Sequence, residues 1–274
     1  MPPNLESLPE PAVLYARVNN HRAVDWGDPM PSKKEIAAEF GIEAAERGLA
    51  MIERAAAVEP ELTEDLLASV QPGTVTYQLE NRLKSPQSLA RKVRKLQGTQ
   101  FAQHPLEDVL RYTIVAAEPD DLVKTAVDAC EHLQSKGWAM DSAHHSYVDG
   151  SRYKGLHLFL RSRGELIELQ IHSRESIAVK TRSTPHYEIE RDPRQDRASR
   201  NAAREACIAM SDQMRRPADI DELTMLGGVA VSTRSYGMRR RQPVPQLKNG
   251  EAALAQTPTP PQRSNGISKD GISR

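Results

Sequence analysis

The pattern that most directly predicts the fold lies in Tyr153-Lys-Gly-Leu-His-Leu-Phe-Leu160, followed after a short turn by Glu165-Leu-Ile-Glu-Leu-Gln-Ile-His172. The second half alternates apolar residues with polar ones, namely Ile167, Leu169 and Ile171 against Glu168, Gln170 and His172. A period of two places these two sets on opposite faces of a strand. The stretch therefore predicts a strand with one apolar face and one face that carries an acid, an amide and an imidazole.

The two halves of this stretch predict a β-hairpin with Arg163-Gly164 as its turn. With a two-residue loop, residue 162 faces residue 165. His157 then lies opposite Gln170, and Phe159 lies opposite Glu168. The polar face is open to two interpretations, an ordinary solvent face or the floor of a site.

Upstream lies a basic stretch, Glu80-Asn-Arg-Leu-Lys-Ser-Pro-Gln-Ser-Leu-Ala-Arg-Lys-Val-Arg-Lys95, with no acid between Arg82 and Lys95. Thr74–Lys84 predicts a strand in which Arg82 and Lys84 project to the same side. Ser85 and Pro86 then predict the start of a helix, as cap and first helical residue.

On this helix Ser88 and Lys92 share a face near the N-terminus, where free amides and the helix dipole favour an anion. A phosphate cradle and a solvated basic helix both fit the basic run taken alone. A cationic cradle facing a carboxylate-bearing sheet, however, is what chemistry on a polyphosphate with a metal ion requires.

The rest of the chain predicts an α+β domain. Asp108–Ala116 has the composition of a strand, and a helix begins at Pro119 and closes at Gly137. Trp138–Gly150 is interpreted as a polar loop containing His144 and His145. Helices are also predicted over 173–183 and 194–215. The second carries an arginine row, Arg194, Arg197, Arg200 and Arg204, which is interpreted as a solvated face or, as a minority view, a nucleic-acid surface.

The predicted boundaries are an arm over residues 1–31, a domain over 32–216 with its motifs in 74–190, and a disordered tail over 217–274. A capping box, Ser32 to Glu35, predicts a helix that runs to about Val58. Pro60 is expected to end it, and a second short helix should follow to Val70.

Composition limits the function classes. The 274-residue chain has a formal net charge of zero, so anion binding must come from local clusters. Its two cysteines lack metal or disulfide spacing. No signal peptide and no apolar run of about 18 residues is visible, so a cytoplasmic protein without a membrane span is expected.

The motifs, in order, resemble the RelA/SpoT-type alarmone synthetase domain. The resemblance covers roughly residues 74–190 and rests on three pieces: Arg82-x-Lys84-x-x-x-Ser88-x-x-x-Lys92, Asp108 at the start of a strand, and Tyr153-x-x-Leu156-His157 followed by Glu168-x-Gln170-x-His172-Ser173. It implies a mixed sheet flanked by helices, of nucleotidyltransferase type. It also implies a synthetase-only form, since the hydrolase half of long members is not found.

The resemblance implies an enzyme that moves the β,γ-pyrophosphate of ATP to the 3′-hydroxyl of a purine nucleotide such as GTP, GDP or ATP. ATP would be held by four residues, Arg82, Lys84, Ser88 and Lys92. Asp108 and Glu168 would hold Mg²⁺, and Glu168 would take the proton of the attacking hydroxyl. The acceptor would be held by Tyr153, Lys154, His157 and Gln170, with Tyr153 stacking on the purine.

The sequence departs from the family pattern at three points. Thr113 stands where an arginine is usual, and Arg111 is the nearest substitute. Asp149-Gly-Ser-Arg-Tyr153 replaces the usual segment before the stacking tyrosine, and His172 stands where many members have arginine.

Three functions therefore stay open. These are a small alarmone synthetase, a toxin-like relative that pyrophosphorylates the 3′ end of tRNA, and a non-catalytic nucleotide-binding module. The resemblance also allows a homo-oligomer.

Overall fold

The computed structural model describes residues 4–100, 102 and 104–237. Its helices are α1 Pro11–Asn19, α2 Lys33–Phe40, α3 Ile42–Ala68, α4 Pro86–Leu96, α5 Leu122–Ser135, α6 Arg174–Arg191 and α7 Arg197–Asp212. Its strands are β1 Val75–Thr76, β2 Leu110–Ala116, β3 Ala139–His145, β4 Leu156–Ser162, β5 Glu165–Ser173, β6 Met225–Leu226 and β7 Val229–Thr233. Single 3-10 turns lie at Leu79–Asn81 and Pro119–Asp121.

The strands form one seven-stranded mixed sheet in the order β1-β2-β5-β4-β3-β7-β6. The pairs β2–β5 and β3–β7 are parallel, and the other neighbours are antiparallel. Helices flank this sheet, so the predicted fold class, an α+β fold with a mixed sheet, is confirmed. Among the described residues, no helix combines the length and apolar character that a membrane crossing needs.

The central hairpin of β4 and β5 has the predicted register. Ser162 pairs with Glu165, His157 with Gln170 and Phe159 with Glu168. The turn residues Arg163 and Gly164 have φ angles of 49° and 81°. Positive φ at both central residues is the geometry of the two-residue turn whose twist matches the flanking strands. The apolar residues of β5 are buried, as the alternation predicts.

The helical region before the sheet is divided at Gly41, not at Pro60 as predicted. Gly41 has a φ of 92°, which ends α2, whereas Pro60 lies inside α3. A proline inside a helix costs about 3 kcal/mol. Leu62 and Leu66, both fully buried beyond it, each contribute roughly 1.5–3 kcal/mol by burial. Burial of the second half of the helix therefore outweighs the local preference.

The first residues are part of the core, so the prediction of an N-terminal arm is wrong for residues 4–31. Leu14 and Val18 of α1 are fully buried and belong to the same apolar cluster as the core of α3. Leu8 and Val24 on either side of the helix join this cluster. This burial was hard to predict, because one helix of nine residues carries few apolar positions.

The strand predicted over Thr74–Lys84 is much shorter in the structure. Val75 and Thr76 pair with β2 as β1, Gln78 then takes a left-handed conformation with a φ of 50°, and an isolated antiparallel bridge between Leu83 and Leu110 resumes the pairing. The 3-10 turn that follows rotates Arg82 into the interior, while Lys84 keeps a partly exposed side chain. These two basic residues therefore do not project to one side, contrary to the prediction.

Two segments predicted as irregular are strands. Residues 139–145, predicted as a loop, form β3, and His144 and His145 lie on it. Residues 225–237, predicted as tail, form β6 and β7 and continue to Tyr236, and β7 pairs in parallel with β3. Neither segment has a clean alternation, and both are stabilised by pairing with neighbours distant in sequence. The remainder of the predicted tail, 238–274, lies outside the described residues.

The two C-terminal helices are displaced from their predicted bounds. α6 begins after the predicted cap Ser173, which forms a capping box with Ser176, but it continues through Pro185 to Arg191. α7 begins after Asp196, whose carboxylate accepts from the Ser199 amide. The longer α6 passes over the polar face of the sheet and forms one wall of the candidate site.

Candidate active site

A cavity of about 580 Å³ opens on the polar face of the sheet beside α6. Its lining comes from β2, the segment before β4, β4, β5, α6, α7 and the segment after β7. The lining includes Asp108, Arg111, Arg152, Tyr153, His157, Glu168, Gln170, Lys180, Tyr187 and Tyr236. The structure thus brings together Asp108, Tyr153, His157, Glu168 and Gln170, five of the residues predicted for the site.

Strand register explains why these side chains meet. Thr113, Gln170, His157 and His144 are successive partners across β2, β5, β4 and β3. Arg111 and Glu168 are partners one step along, in the parallel pair β2–β5. Partners in register project to the same face of a sheet. The polar face therefore carries two adjoining rows of functional groups, while the opposite face is packed in the core.

Glu168 is held by two donors through one oxygen. His157 Nδ1 lies 2.8 Å and Gln170 Nε2 lies 2.9 Å from Oε1, and no described residue donates to Oε2. Burial acts to raise the pKa of Glu168, but His157, Gln170 and Arg111 together hold the pKa below its usual value. The carboxylate is therefore ionised at neutral pH, with one oxygen oriented by the protein and the other free to act in the cavity.

Asp108 lies between two lysines of the basic stretch. Its Oδ2 is 3.3 Å from Lys84 Nζ, and its Oδ1 pairs with Lys92 Nζ. Burial acts to raise the pKa of Asp108, but the charges of the two lysines outweigh it and hold the pKa below its usual range. Burial also lowers the pKa of Lys84. Asp108, Lys84 and Lys92 thus form a charged cluster at the edge of the cavity.

Tyr153 is fixed by a chain of hydrogen bonds that ends at the N-terminus of α6. Its hydroxyl lies 2.7 Å from His172 Nε2, and His172 Nδ1 lies 2.9 Å from Ser176 Oγ. Burial lowers the pKa of His172 well below its usual value and raises that of Tyr153 well above it, so both are neutral. A Cβ on Gly155 would lie 2.8 Å from the His172 ring, so only glycine fits there without displacement.

The rings of Tyr153, His157 and Tyr236 line the cavity, and His144, outside the lining, packs against His157. The rings of His144 and His157 lie 4.8 Å apart and nearly parallel, at 9°. His144 Nε2 lies 3.0 Å from the Tyr236 hydroxyl, and the Tyr236 ring meets Tyr153 edge-on at 5.5 Å. Burial, then the neighbouring His157, lowers the pKa of His144 to about 3. Buried His157 Nε2 and Gln170 Oε1 have no hydrogen-bond partner among the described residues.

Arg82 is not brought to the cavity. Its side chain is fully buried and pairs with the buried carboxylate of Glu59. Its terminal nitrogens donate to the carbonyls of Ala23 at 2.7 Å and Arg22 at 2.8 Å. Contact with ATP would require this interior arrangement to open, so the structure gives Arg82 a role in joining the N-terminal segment to α3.

Two other predicted residues lie beside the cavity and do not line it. Ser88 is partly buried on α4, where its amide donates to the capping Ser85 at 3.3 Å. Lys154 is buried and pairs with Asp212 of α7 at 2.8 Å. Lys154 therefore fixes α7 to the sheet in this structure, and its predicted acceptor contact stays a prediction.

The arginine row of α7 is directed partly inward. Arg204 Nε lies 2.8 Å from Glu190 Oε1, and Arg200 Nε donates to the Glu190 carbonyl at 2.8 Å. The same Glu190 carboxylate, almost fully buried, pairs with Arg152. The predicted solvated face is thus wrong for Arg200 and Arg204, whereas Arg197 is exposed.

No protein-family model and no curated protein matches this chain. Among solved structures it is similar to small alarmone synthetase 1 from Bacillus subtilis, at 17% identity, over 61% of this chain and 92% of that one, with a TM-score of 0.39. It is also similar to small alarmone synthetase 2 from Bacillus subtilis, at 14% identity, over 58% and 88%, with a TM-score of 0.39. A GTP pyrophosphokinase family protein from Streptococcus pneumoniae matches at 16% identity, over 66% and 87%, with a TM-score of 0.37.

The donor set of the cavity fits a magnesium ion that arrives with a polyphosphate. Asp108 and Glu168 are both ionised and line the same cavity. The described residues contain no group of three or more acidic, histidine or cysteine side chains that could hold a metal by themselves. Mg²⁺ is usually bound by one or two carboxylates together with substrate phosphates, and two carboxylates satisfy that need.

Sequence reasoning missed several groups that line the cavity. Lys180, Tyr187 and Arg191 come from α6, which was predicted to end before the last two. The helical spacing of 180, 183, 184 and 187 was visible, but only if the helix was carried through Pro185. Arg152 and Tyr236 also lie in the lining. No local signal connects Tyr236 to the site, because its position depends on the pairing of β7 with β3.

Proposed function

We propose that this protein is an ATP-dependent pyrophosphotransferase that moves the β,γ-pyrophosphate of ATP to the 3′-hydroxyl of a purine nucleotide, making an alarmone. The acceptor class is GTP or GDP, with ATP or ADP as further members. One observation carries the proposal: two ionised carboxylates, Asp108 and Glu168, line one cavity together with the cations Arg111 and Lys180. Carboxylates that stay ionised beside cations in a partly buried cavity are suited to binding a polyphosphate together with its metal ion.

The ATP side of the cavity is the cluster of Asp108 with Lys84 and Lys92. ATP phosphates can replace Asp108 as the partner of the two lysines, because a phosphate offers more acceptor oxygens than one carboxylate. Asp108 and Glu168 are then the residues that would hold Mg²⁺, whose charge would offset the negative charge of the phosphates. Ser88, close to the start of α4, would add a hydroxyl contact.

The acceptor side is the wall formed by Tyr153, His157 and Gln170. The chain from Tyr153 through His172 to Ser176 fixes the Tyr153 ring, which would contact the acceptor purine. The unpartnered His157 Nε2 and Gln170 Oε1 would bind ribose or phosphate groups of the acceptor. A buried polar atom without a hydrogen-bond partner destabilises the ligand-free protein by about 1–3 kcal/mol, so a ligand that bonds to this atom gains affinity.

The reaction is a displacement at the β-phosphorus of ATP. Glu168 takes the proton of the acceptor 3′-hydroxyl, and the 3′-oxygen forms a bond to the β-phosphorus. The bond between the β-phosphorus and the bridging oxygen to the α-phosphorus breaks, and AMP leaves with that oxygen. The lowered pKa of Glu168 keeps the base ionised at neutral pH. Lys84, Lys92, Arg111 and Lys180 would stabilise the charge on the transferred group.

The test is transfer of label from ATP carrying the isotope on its β- or its γ-phosphate. Purified protein is incubated with Mg²⁺ and with GDP, GTP, ATP or bulk tRNA in separate reactions. We expect both labels to enter the same acceptor, with one AMP formed for each product molecule. Glu168→Gln should lose the reaction.

The matched control is Glu165→Gln on the same strand, outside the cavity lining. Glu165 is partly buried, and its ion-pair partner among the described residues is the exposed Arg54 at 3.5 Å, so that the pair lies at the surface and contributes little. Full activity in this variant would show that loss in Glu168→Gln is local. If the wild-type protein forms no AMP with any acceptor, the proposal is wrong and the non-catalytic nucleotide-binding module takes its place.

A tRNA acceptor is the second candidate. The observation in its favour is that Arg191, in the cavity lining, is followed along the chain by the exposed Arg197. Against it, Arg200 and Arg204 of the same row are bound to Glu190 inside the protein. Label that enters only tRNA would decide for this candidate, and label that enters only a mononucleotide would end it.

A further inference from the structure

Two cations in the cavity lack the acidic partner that the other buried cations of the site have. Lys84 and Lys92 pair with Asp108, Lys154 with Asp212, and Arg152 with Glu190. Arg111 of β2 and Lys180 of α6 form no ion pair with any described carboxylate, although both are partly buried in the cavity lining. The charge of Glu168 acts on both cations, but neither is in ion-pair contact with a described carboxylate.

Strand register and helix spacing place these two cations over Glu168. Arg111 is the register partner of Glu168 in β2–β5, so both project to the polar face. Lys180 comes from the helix that covers this face, and its Nζ lies 5.7 Å from the centre of the Tyr77 ring. Tyr77 in turn is attached to β2, because its amide donates to the Thr113 carbonyl at 3.0 Å. Lys180 is thus held above β2, on the side where Arg111 points.

Glu168 does not serve as the missing partner. Its Oε1 is used by His157 and Gln170, and neither Arg111 nor Lys180 forms an ion pair with it. Burial first, and the charge of Arg111 second, lower the pKa of Lys180, and the charge of Glu168 offsets only part of this lowering. Two neighbouring cations in a partly desolvated place raise the free energy of the ligand-free protein, and an anion between them removes that penalty.

One face of α6 continues the site outward. Ser183, Thr184 and Tyr187 follow Lys180 at helical spacing and also line the cavity. Arg152 and Arg191 both lie over the Tyr187 ring, with guanidinium carbons 5.1 Å and 5.4 Å from its centre. Lys180 and Arg191 therefore line the cavity from α6, and Arg152 joins them at the Tyr187 ring.

We propose that Lys180 and Arg111 form a phosphate-binding subsite that holds the transferred pyrophosphoryl group of ATP above Glu168. This inference rests on the proposed function for the identity of the group, while the anion site itself does not. The ligand class is a pyrophosphate, as a terminal group of ATP or as the free ion.

The direct test is binding of inorganic pyrophosphate and of ATP in a metal-free buffer, measured by calorimetry. We expect Lys180→Met to weaken both by about tenfold or more, since each loses a charge-assisted hydrogen bond. Lys180→Arg should restore most of the binding. The matched control is Arg182→Met, an exposed cation two residues away on the same helix that does not line the cavity.

A second readout separates an anion site from a structural lysine. Without ligand, Lys180→Met should unfold about 2–4 °C higher than the wild-type protein, because it removes repulsion with Arg111. With pyrophosphate present, the wild-type protein should gain thermal stability and the variant should gain little. A structural lysine would give the opposite result, a loss of stability without ligand.

The outcomes distinguish this inference from the proposed function. Transfer by the wild-type protein with unchanged binding and activity in Lys180→Met would overturn the inference and leave the function standing. Absence of transfer, together with pyrophosphate binding that depends on Lys180, would uphold the anion site and remove its assignment to ATP. Binding that is equally weak in Lys180→Met and Arg182→Met would show a diffuse charge effect and also overturn the inference.

Discussion

His157 on β4 donates a hydrogen bond from Nδ1 to Oε1 of Glu168 on the neighbouring strand β5, over 2.8 Å. The two residues are diagonal neighbours on one face, since His157 is in register with Gln170 and Glu168 with Phe159. This contact is one of the causes that hold the pKa of Glu168 below its usual value. The imidazole therefore controls the protonation of the group that we propose as the base.

His157→Gln should raise the pKa of Glu168, because burial then acts with less compensation. The reaction needs the ionised carboxylate, so the acidic limb of the rate profile should move to higher pH. We expect this shift of the acidic limb to higher pH, with a smaller change at alkaline pH. Substitution of the exposed His21 by Gln should leave the profile unchanged. A uniform loss of rate at every pH would instead indicate that His157 acts only on binding.

Arg82→Met should destabilise the folded protein, and this effect should not depend on ATP binding. Removal of one member of a buried ion pair costs about 3–5 kcal/mol, since it leaves Glu59 charged and unpaired in the interior. The free energy of unfolding, from urea denaturation, measures this. The double variant Arg82→Met with Glu59→Met should recover part of the loss. If Arg82 contacts ATP, the double variant will be stable and yet bind ATP weakly.

His144 should make the protein sensitive to mild acid. Burial, then the neighbouring His157, lowers its folded-state pKa to about 3, against an unfolded value of about 6.5. The unfolded chain therefore binds a proton first as the pH falls below about 6.5, and stability declines from there down to about pH 3. His172, whose pKa burial also lowers, acts in the same direction.

His144→Phe keeps the ring stacked on His157 and removes the titration. The free energy of unfolding in this variant should decline less between about pH 6 and pH 4 than in the wild-type protein. It also removes the hydrogen bond to Tyr236, which contributes about 1 kcal/mol at every pH. Tyr236→Phe measures that constant part, so an equal pH slope in the two variants would contradict the prediction.

Gly155→Ala should disturb the orientation of Tyr153. The new Cβ would meet the His172 ring at 2.8 Å and the Tyr153 hydroxyl at 3.2 Å, so the hydrogen bond between them must shift. Crowding of a packed interior costs about 1–3 kcal/mol. We expect KM for the acceptor to rise and KM for ATP to stay nearly constant. Gly164→Ala, in the exposed hairpin turn, strains the backbone without touching the cavity and should leave both KM values unchanged.

Tyr236→Ala tests whether the segment after β7 belongs to the acceptor wall. The ring lies edge-on to Tyr153 and lines the cavity, so its loss should change the acceptor KM severalfold. Binding of pyrophosphate, which we assign to Lys180 and Arg111, should be unaffected. Equal effects on both ligands would indicate a general loosening of the sheet edge.

Elements whose signals are local could be predicted from the amino-acid sequence alone. The β4–β5 hairpin, with its register and turn, follows from strict alternation and from a two-residue loop ending in glycine. The same is true of the capped starts of α4 and α6, and of the side-by-side placement of Glu168, Gln170 and His157. These features depend on residues within a few positions of each other, so propensity and periodicity are sufficient.

The positions of residues whose partners lie far along the chain depend on the tertiary structure. Arg82 was predicted to project to the same side as Lys84, yet it lies in the interior. Glu59 and the carbonyls near Ala23 accept hydrogen bonds from its guanidinium there, and an arginine has five such donors to satisfy. Pro60 did not end its helix, since burial of Leu62 and Leu66 outweighed the local cost. Tyr236 and Lys180 reach the cavity only through the pairing of β7 with β3 and the passage of α6 over the sheet. Pairing and packing between segments distant in sequence leave no local pattern, and for that reason Tyr236 and Lys180 could be placed at the cavity only from the fold.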